Sequence, residues 1–388
     1  MSLNELHSSE RVNIVFVGKR NSGKSSLINA LSGQEVSIVS DVLGTTTDPV
    51  RKVMEITGIG PCVVVDTAGF DDVGELGKAR VEKTRIAVRS ADVVLVVIGS
   101  DAIEDEIQFA KTLDCKNIIY VINKSDLNFK LPDVPEPNIS VSAKTGDGIE
   151  ALKNLIKKVA PEKLKETTIT GNLVKKGDTV LLIMPQDQSA PKGRLIMPQV
   201  QTIRELLDKG ANPICATMES LNSAIEALKN PPQLVITDSQ VFLKVSEIIP
   251  PNWKLTSFSV LLAGYKGDIK SFTEGARAIE TLGDKSRVLI AEACSHTTTD
   301  ADIARVKIPN LLHKKINPHI DITVVSGNDF PNDVSDFDLV IHCGACMFNK
   351  AHVMSRQEIC KKSGTPMTNY GIAIAYLTGI LDRVVLPQ

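Results

Sequence analysis

The chain has 388 residues, of which 43% are apolar and 23% charged, with a formal net charge of −2. That balance is globular and long enough for two or three cores, while the near-neutral charge speaks against a nucleic-acid or anionic-membrane surface. No apolar run reaches the roughly 18 residues of a membrane span, the first ten residues lack the pattern of a secretory signal, and seven cysteines in no even framework fit a reduced, cytoplasmic protein.

The first predicted element is a strand over 12–17, followed by Gly18-Lys19-Arg20-Asn21-Ser22-Gly23-Lys24-Ser25 and a helical pattern opening at Ser26. This is the strand–loop–helix setting that G-x-x-x-x-G-K-[ST] requires. Gly18 and Gly23 let the backbone wrap a phosphate, and the N–H groups at the helix start point at it. Lys24 supplies charge to the β/γ-phosphates, and the Ser25 hydroxyl can ligate Mg²⁺.

A strand over 62–65 ends in Asp66-Thr67-Ala68-Gly69, where Asp66 can hold the Mg²⁺ shell and the Gly69 N–H can face the γ-phosphate. A buried strand over 117–122 ends in Asn123-Lys124-Ser125-Asp126. There one carboxylate, Asp126, can accept both N1–H and the N2 amino group of guanine, a donor pair adenine lacks. A short strand from 139 runs into Ser142-Ala143-Lys144, a base-side loop, and a helix over 148–159 closes the domain. Four such pieces in this order read as a guanine nucleotide-binding domain. Phe70 stands where a Ras-type enzyme has the glutamine that orients the attacking water, so intrinsic hydrolysis is expected to be slow.

The polar stretch after Pro161 reads as a linker. Strands over 178–184, 213–217, 233–237 and 254–263 then alternate with helices over 200–207, 220–228 and 241–248, implying crossover units on a largely parallel sheet. Tyr265-Lys266-Gly267-Asp268 reads as a hinge. Beyond it come a helix over 271–282 and strands over 287–292, 322–325 and 339–342. The fold class is therefore α/β, a P-loop GTPase domain followed by two smaller α/β domains with largely parallel sheets. No internal repeat is visible.

Cys294-Ser295-His296 follows one predicted strand and His342-Cys343-Gly344-Ala345-Cys346 another. Both sets would project from strand carboxyl ends, where crossover sheets build their sites. Gly344 would let N–H groups turn toward sulfur. Zn²⁺ would take a tetrahedral Cys₃His set, whereas a cubane iron–sulfur cluster would take three cysteines and leave one iron for another ligand. Cys62, Cys115, Cys215 and Cys360 read as packing, His313 and His319 as solvated, and His352 as close enough in sequence to approach the site.

Residues 7–52 resemble the translation-factor-related GTPases that include TrmE and Era, the match lying in Arg20-Asn21-Ser22-Gly23-Lys24-Ser25 and in the stretch from Ser40 to Asp48. That resemblance implies that Asn21 and the loop over 40–46, with Thr45, bind K⁺ in place of an arginine finger, and that Thr46 closes on Mg²⁺. The whole pattern resembles the HydF family of FeFe-hydrogenase maturation GTPases, over essentially the entire chain. The resemblance implies a GTPase domain over 1–165, a dimerisation domain over 166–265 that makes a homodimer, and a cluster domain over 266–388. It implies a 4Fe–4S cluster on Cys294, Cys343 and Cys346, with His296 or His342 as a possible fourth ligand. It further implies a carrier that takes a di-iron subcluster precursor to apo FeFe-hydrogenase, with the radical-SAM maturases HydE and HydG as other partners. The alternative is a TrmE-like RNA-modification GTPase with a Cys/His metal site. Against it, Phe, Trp and Tyr total 15 residues, thin for base stacking.

Overall fold

The computed structural model describes residues 11–32, 49–56, 59–71, 75–127, 133–160, 168–185, 195–293, 303–327 and 329–387. It divides into two compact units, 1–166 and 167–388.

The first unit is built on six strands: β1 Val12–Val17, β2 Val50–Ile56, β3 Gly60–Asp66, β4 Val93–Ile98, β5 Ile118–Ile122 and β6 Asn138–Ser140. They lie in the order β2-β3-β1-β4-β5-β6, all parallel except β2, which runs antiparallel to β3. Helices α1 Lys24–Ser32, α2 Glu75–Arg89, α3 Glu104–Lys111 and α4 Ile149–Val159 cover the sheet. Alternation along β1 divides the core: Ile14 and Phe16 pack with Leu27 and Ile28 of α1 and Leu152 of α4, while Val15 and Val17 pack with Val88 of α2. Because both faces are covered, β4 is six consecutive buried apolar residues, the run expected of a central parallel strand. Sequence reading passed over β2 and β4.

The second unit carries two parallel sheets. In the first, β7 Thr179–Ile183, β8 Asn212–Ala216, β9 Leu234–Thr237 and β10 Leu255–Ser257 alternate with α5 Met197–Asp208, α6 Leu221–Glu226 and α7 Phe242–Ile248, and α8 Phe258–Lys266 follows β10. The second opens with α9 Ile269–Ala276. It then carries β11 Arg287–Glu292, α10 Ile308–Lys315, β12 Asp321–Ser326, β13 Leu339–His342, α11 Lys350–Ser363, β14 Met367–Asn369 and α12 Tyr370–Leu377. One continuous core runs through both, joining Leu181 and Val235 of the first sheet, Val260 of α8, and Leu289 and Val340 of the second.

Two expectations are corrected. The apolar stretch over 254–263 is strand only as far as Ser257, whose hydroxyl accepts the N–H of Val260 and starts α8. Short apolar runs do not distinguish strand from buried helix, and here the cap decides. The helix expected over 271–282 begins earlier, at the Asp268 cap, and tightens into a 3₁₀ turn over Arg277–Thr281. There is also a structural repeat where none was visible in sequence. The orders β8-β7-β9-β10 and β12-β11-β13-β14 are the same topology, first strand central and second strand at the edge. In each copy a three-residue last strand runs straight into a capped helix, Leu255-Thr256-Ser257-Phe258 in one and Met367-Thr368-Asn369-Tyr370 in the other. The two helix starts meet: Ser259 Oγ donates to Asn369 Oδ1 at 2.9 Å and accepts the N–H of Gly371 at 3.2 Å. Only a few small and capping positions are shared, too few to show as sequence periodicity.

Among the described residues no helix is long and apolar enough to cross a membrane.

Candidate functional site

At the end of β1 the chain must turn sharply, and Gly18 (φ 159°), Asn21 (φ 56°) and Gly23 (φ 91°) provide the turn. A Cβ on Gly18 would lie 2.4 Å from the Val97 carbonyl oxygen, and one on Gly23 would lie 2.2 Å from Asn123 Nδ2. Lys24, buried at the first turn of α1, donates to the carbonyls of Gly18 at 3.1 Å and Lys19 at 2.9 Å. Burial lowers its pKa, and the carboxylates of Asp66 and Asp71 work against that. Ser25 Oγ donates to Asp66 Oδ2 at 2.5 Å, so two hard oxygen donors stand together where a Mg²⁺ would be bound. A Cβ on Gly69 would lie 2.4 Å from Asp71 Oδ1 and 2.7 Å from the Arg20 nitrogen, so this position admits no side chain. The Phe70 ring stacks on Phe109 of α3 with centroids 4.4 Å apart, a packing role that leaves it no water to orient. Ser22 is buried and Ser26 exposed at the head of α1.

The base-side residues are tied to this loop. Asn123 donates through Nδ2 to the Ser22 carbonyl at 3.0 Å and accepts the Ala143 N–H at 3.1 Å. Lys124, itself at φ 63°, donates to the Asn21 carbonyl at 2.7 Å. Ser142 Oγ donates to Asp126 Oδ1 at 2.7 Å, orienting an exposed carboxylate, and Lys144 is exposed beside it. Thr45, Thr46 and the rest of the loop over 40–46 lie outside the described residues.

The cysteine loop sits at the other end of the sequence. In the order β12-β11-β13-β14 the strands are parallel but their succession reverses between β11 and β13, one crossover running outward to β12 and the next to β13. Ligand sites form outside the carboxyl ends at such a point. β13 ends in His342 and runs into Cys343, directly beside β11, whose next residue but one is Cys294. Cys343 Sγ accepts two backbone N–H groups, from Ala293 at 3.0 Å and Ala345 at 3.3 Å. Burial pushes its thiol up to about 11 despite those donors. The left-handed residue of the loop is Ala345 (φ 52°), a strained conformation of the kind that gathers at functional sites. Cys346 is half-buried. Cys294 and His296 lie outside the described residues, and among the described residues no three metal-ligating side chains converge.

His342 is fully buried with both ring nitrogens engaged: Nδ1 donates to the Cys343 carbonyl at 2.8 Å and Nε2 accepts from Arg356 Nη1 at 2.9 Å. Burial, and then the Arg356 charge, lower its pKa to about 3. The ring in this arrangement braces the loop and offers no lone pair to a metal. His352 is buried against Phe348, ring centroids 3.8 Å apart, and His313 Nε2 lies 3.0 Å from the Ile320 carbonyl oxygen. Cys62 and Cys360 are buried as expected, and Cys115 is half-buried, whereas Cys215 is exposed on edge strand β8. Sequence reading missed Lys266 and Arg356. The first, whose ammonium donates to the Ala345 carbonyl at 2.7 Å, lies in the stretch that reads as a hinge, and nothing local to either marks it as a neighbour of the cysteines.

A six-stranded sheet with a glycine-walled phosphate loop, an Asp66–Ser25 pair and an Asn-Lys-x-Asp corner defines a P-loop GTPase. Residues 13–124 match the 50S ribosome-binding GTPase family, residues 169–267 the hydrogen maturase F dimerization domain and residues 270–387 the hydrogen maturase F tetramerization domain. The chain belongs to the hydrogen maturase F family, TrmE/Era-like GTPases with additional domains. The tRNA modification GTPase MnmE of Neisseria meningitidis is 44% identical over 158 residues, covering 38% of this chain and 34% of that protein. MnmE of Azoarcus sp. is 39% identical over 158 residues, covering 38% and 35%. The chain thus spans about a third of the length of the curated relatives it matches, all of it in the nucleotide domain. Era of Aquifex aeolicus, solved with GDP and aluminium fluoride, is 23% identical over 53% of this chain and 92% of its own, with a TM-score of 0.30.

Proposed function

We propose that the chain is a GTP-hydrolysing carrier that holds a 4Fe–4S cluster on Cys294, Cys343 and Cys346 and delivers a di-iron cofactor precursor to apo FeFe-hydrogenase. The observation that carries the cluster reading is the convergence of two backbone N–H donors on Cys343 Sγ at the sheet's switch point. N–H···S bonds are what a cluster thiolate accepts, and they help set its potential. The donor Ala293 is the residue before Cys294, which supports the third thiolate coming from the same corner. A cluster bound there would supply an iron with an exchangeable fourth position; His342, with both nitrogens committed, is the weaker candidate for it and His296 the stronger. The Cys343 thiol, protonated at neutral pH in the free protein, would lose its proton on binding.

In the nucleotide site Lys24 would hold the β/γ-phosphates and Ser25 with Asp66 the Mg²⁺, while Asp126 would select guanine. Asn21 and the loop over 40–46 would bind K⁺, which neutralises charge developing between the phosphates. With Phe70 packed on Phe109, turnover without K⁺ would stay near the intrinsic Ras scale, about 10⁻³–10⁻⁴ s⁻¹. The middle region would pair two subunits, and the maturases HydE and HydG would be the other partners.

Anaerobic purification with visible spectroscopy and metal analysis tests the central claim. Brown protein with iron and acid-labile sulfide is expected; colourless protein with stoichiometric zinc would overturn it. Equal GTPase rates in K⁺ and Na⁺ at matched ionic strength would remove the K⁺ site.

A further inference from the structure

The chain that follows β3 lies against the phosphate loop through a carboxylate that the nucleotide chemistry leaves unused. Asp71 Oδ1 accepts the backbone N–H of Arg20 at 2.8 Å. A Cβ on Gly69 would lie 2.4 Å from that same oxygen and 2.7 Å from the Arg20 nitrogen, so Gly69, the Arg20 N–H and the Asp71 carboxylate meet at one point. Gly69 is the position whose N–H is expected to face a γ-phosphate. The Asp71 charge is also felt at Lys24, where with Asp66 it opposes the lowering of the lysine pKa by burial. A backbone N–H of this loop and the loop lysine are the groups that receive a phosphate anion. Here they have an anion of the chain itself before them.

One helix holds both sides of this contact. Lys19 of the phosphate loop bonds α3 through Asp105 at 2.9 Å and Glu106 at 3.3 Å. Phe70, next to Asp71, stacks on Phe109 of the same helix. With both segments fastened to α3, the Asp71 carboxylate is carried to the loop with little freedom to miss it. Asp71 is nonetheless exposed, so its carboxylate regains water when it leaves and a competing anion can displace it. The γ-phosphate of GTP is such an anion, and like charges brought together repel. GDP brings no charge to that point.

We propose that Asp71 sets the preference between GTP and GDP: without a γ-phosphate its carboxylate takes the γ-phosphate's place at the loop, and GTP binds by displacing it. This rests on the nucleotide-site reading above. Displacement breaks the Asp71–Arg20 bond, and the carboxylate returns as phosphate leaves after hydrolysis.

The test uses the full chain with Mg²⁺, as wild type, Asp71→Asn and Asp71→Ala, titrated by calorimetry with GDP and with a non-hydrolysable imido analogue of GTP. Asparagine keeps an acceptor for the Arg20 N–H but not the charge, and alanine removes both. In both variants the analogue should bind roughly tenfold tighter, the change of one charge-assisted contact, while GDP stays within about twofold of wild type. Unchanged or weaker analogue binding in either variant would overturn the proposal. So would a gain for GDP as large as that for the analogue, since the carboxylate would then act on phosphates in general. Wild-type protein that binds neither nucleotide would instead remove the nucleotide reading on which the proposal stands.

Discussion

The two sheets of the second unit share one strand order and one strand-to-capped-helix ending, yet their third strands run into different side chains, cysteines in one and none in the other. The third strand in the middle copy ends Thr237-Asp238-Ser239; in the other it ends His342-Cys343-Gly344. In the middle copy Asp238 accepts a hydrogen bond from buried Gln199 at 2.8 Å, an ordinary structural contact. In the second copy the corresponding corner gathers Cys343, Cys346, His342 and the buried Lys266 and Arg356. Topology supplies the corner, where helix starts and strand ends leave backbone donors available. Whether anything binds there depends on which side chains the corner holds.

The strongest way to break that contrast is to exchange its sulfurs. Serine at Cys294, Cys343 or Cys346 should bring iron in reconstituted protein close to zero while GTP hydrolysis stays within about twofold, because iron selects soft thiolate. Asp238→Ala in the middle copy should leave iron unchanged. Full iron in the Cys343→Ser protein would place the cluster elsewhere.

Lys24→Ala carries the comparison to the first unit. Hydrolysis should fall by ~10²–10³-fold, the scale of losing one preorganised charge at a phosphate, with iron content on the same preparation intact. Failure to assemble the cluster in that protein would show that the units are not separable. Within the nucleotide site, Asp126→Asn should weaken GTP by ~10–100-fold and favour xanthosine triphosphate, as expected for charge-assisted hydrogen bonds; calorimetry with both nucleotides decides.

Acid should separate the two copies more gently. The folded pKa of His342, about 3, lies below its unfolded value, so its contribution is fully present above about pH 6.5 and is lost as pH falls toward 3. Between pH 6.5 and 5 the cluster-free protein should lose about 2 kcal/mol around β13, read as faster amide exchange there. The equivalent Thr237 does not titrate, so β9 should be protected better at pH 5. Equal acceleration in both strands would refute this. The smallest effect concerns the repeated caps. Ser257→Ala should cost about 1 kcal/mol of thermal stability, as N-cap losses do. Asn369→Ala should cost more, since Asn369 also accepts from Ser259 and donates to the Cys343 carbonyl.

The motifs of the candidate nucleotide site were legible in the sequence. Gly18, Lys24, Asp66, Asn123 and Asp126 act within motifs of a few neighbours, and strand ends bring those motifs together. The cysteine spacing was legible for the same reason. The split of 254–263 was harder, since an apolar run satisfies strand and buried helix alike and a single serine hydroxyl decides between them. Cys215 looked like a packing residue because its strand is apolar, but that strand is an edge.

By itself the sequence determined the α/β class, the guanine nucleotide chemistry and the thiols available to a metal, because each depends on residue types at short, fixed spacing. Only the tertiary structure decided that one topology is used twice, that both His342 nitrogens are committed, and that Lys266 and Arg356 face the cysteine loop. These are matters of contact between distant segments. A buried ammonium is fixed by the carbonyls that surround it after folding, and no pattern around Lys266 encodes a partner 79 residues away.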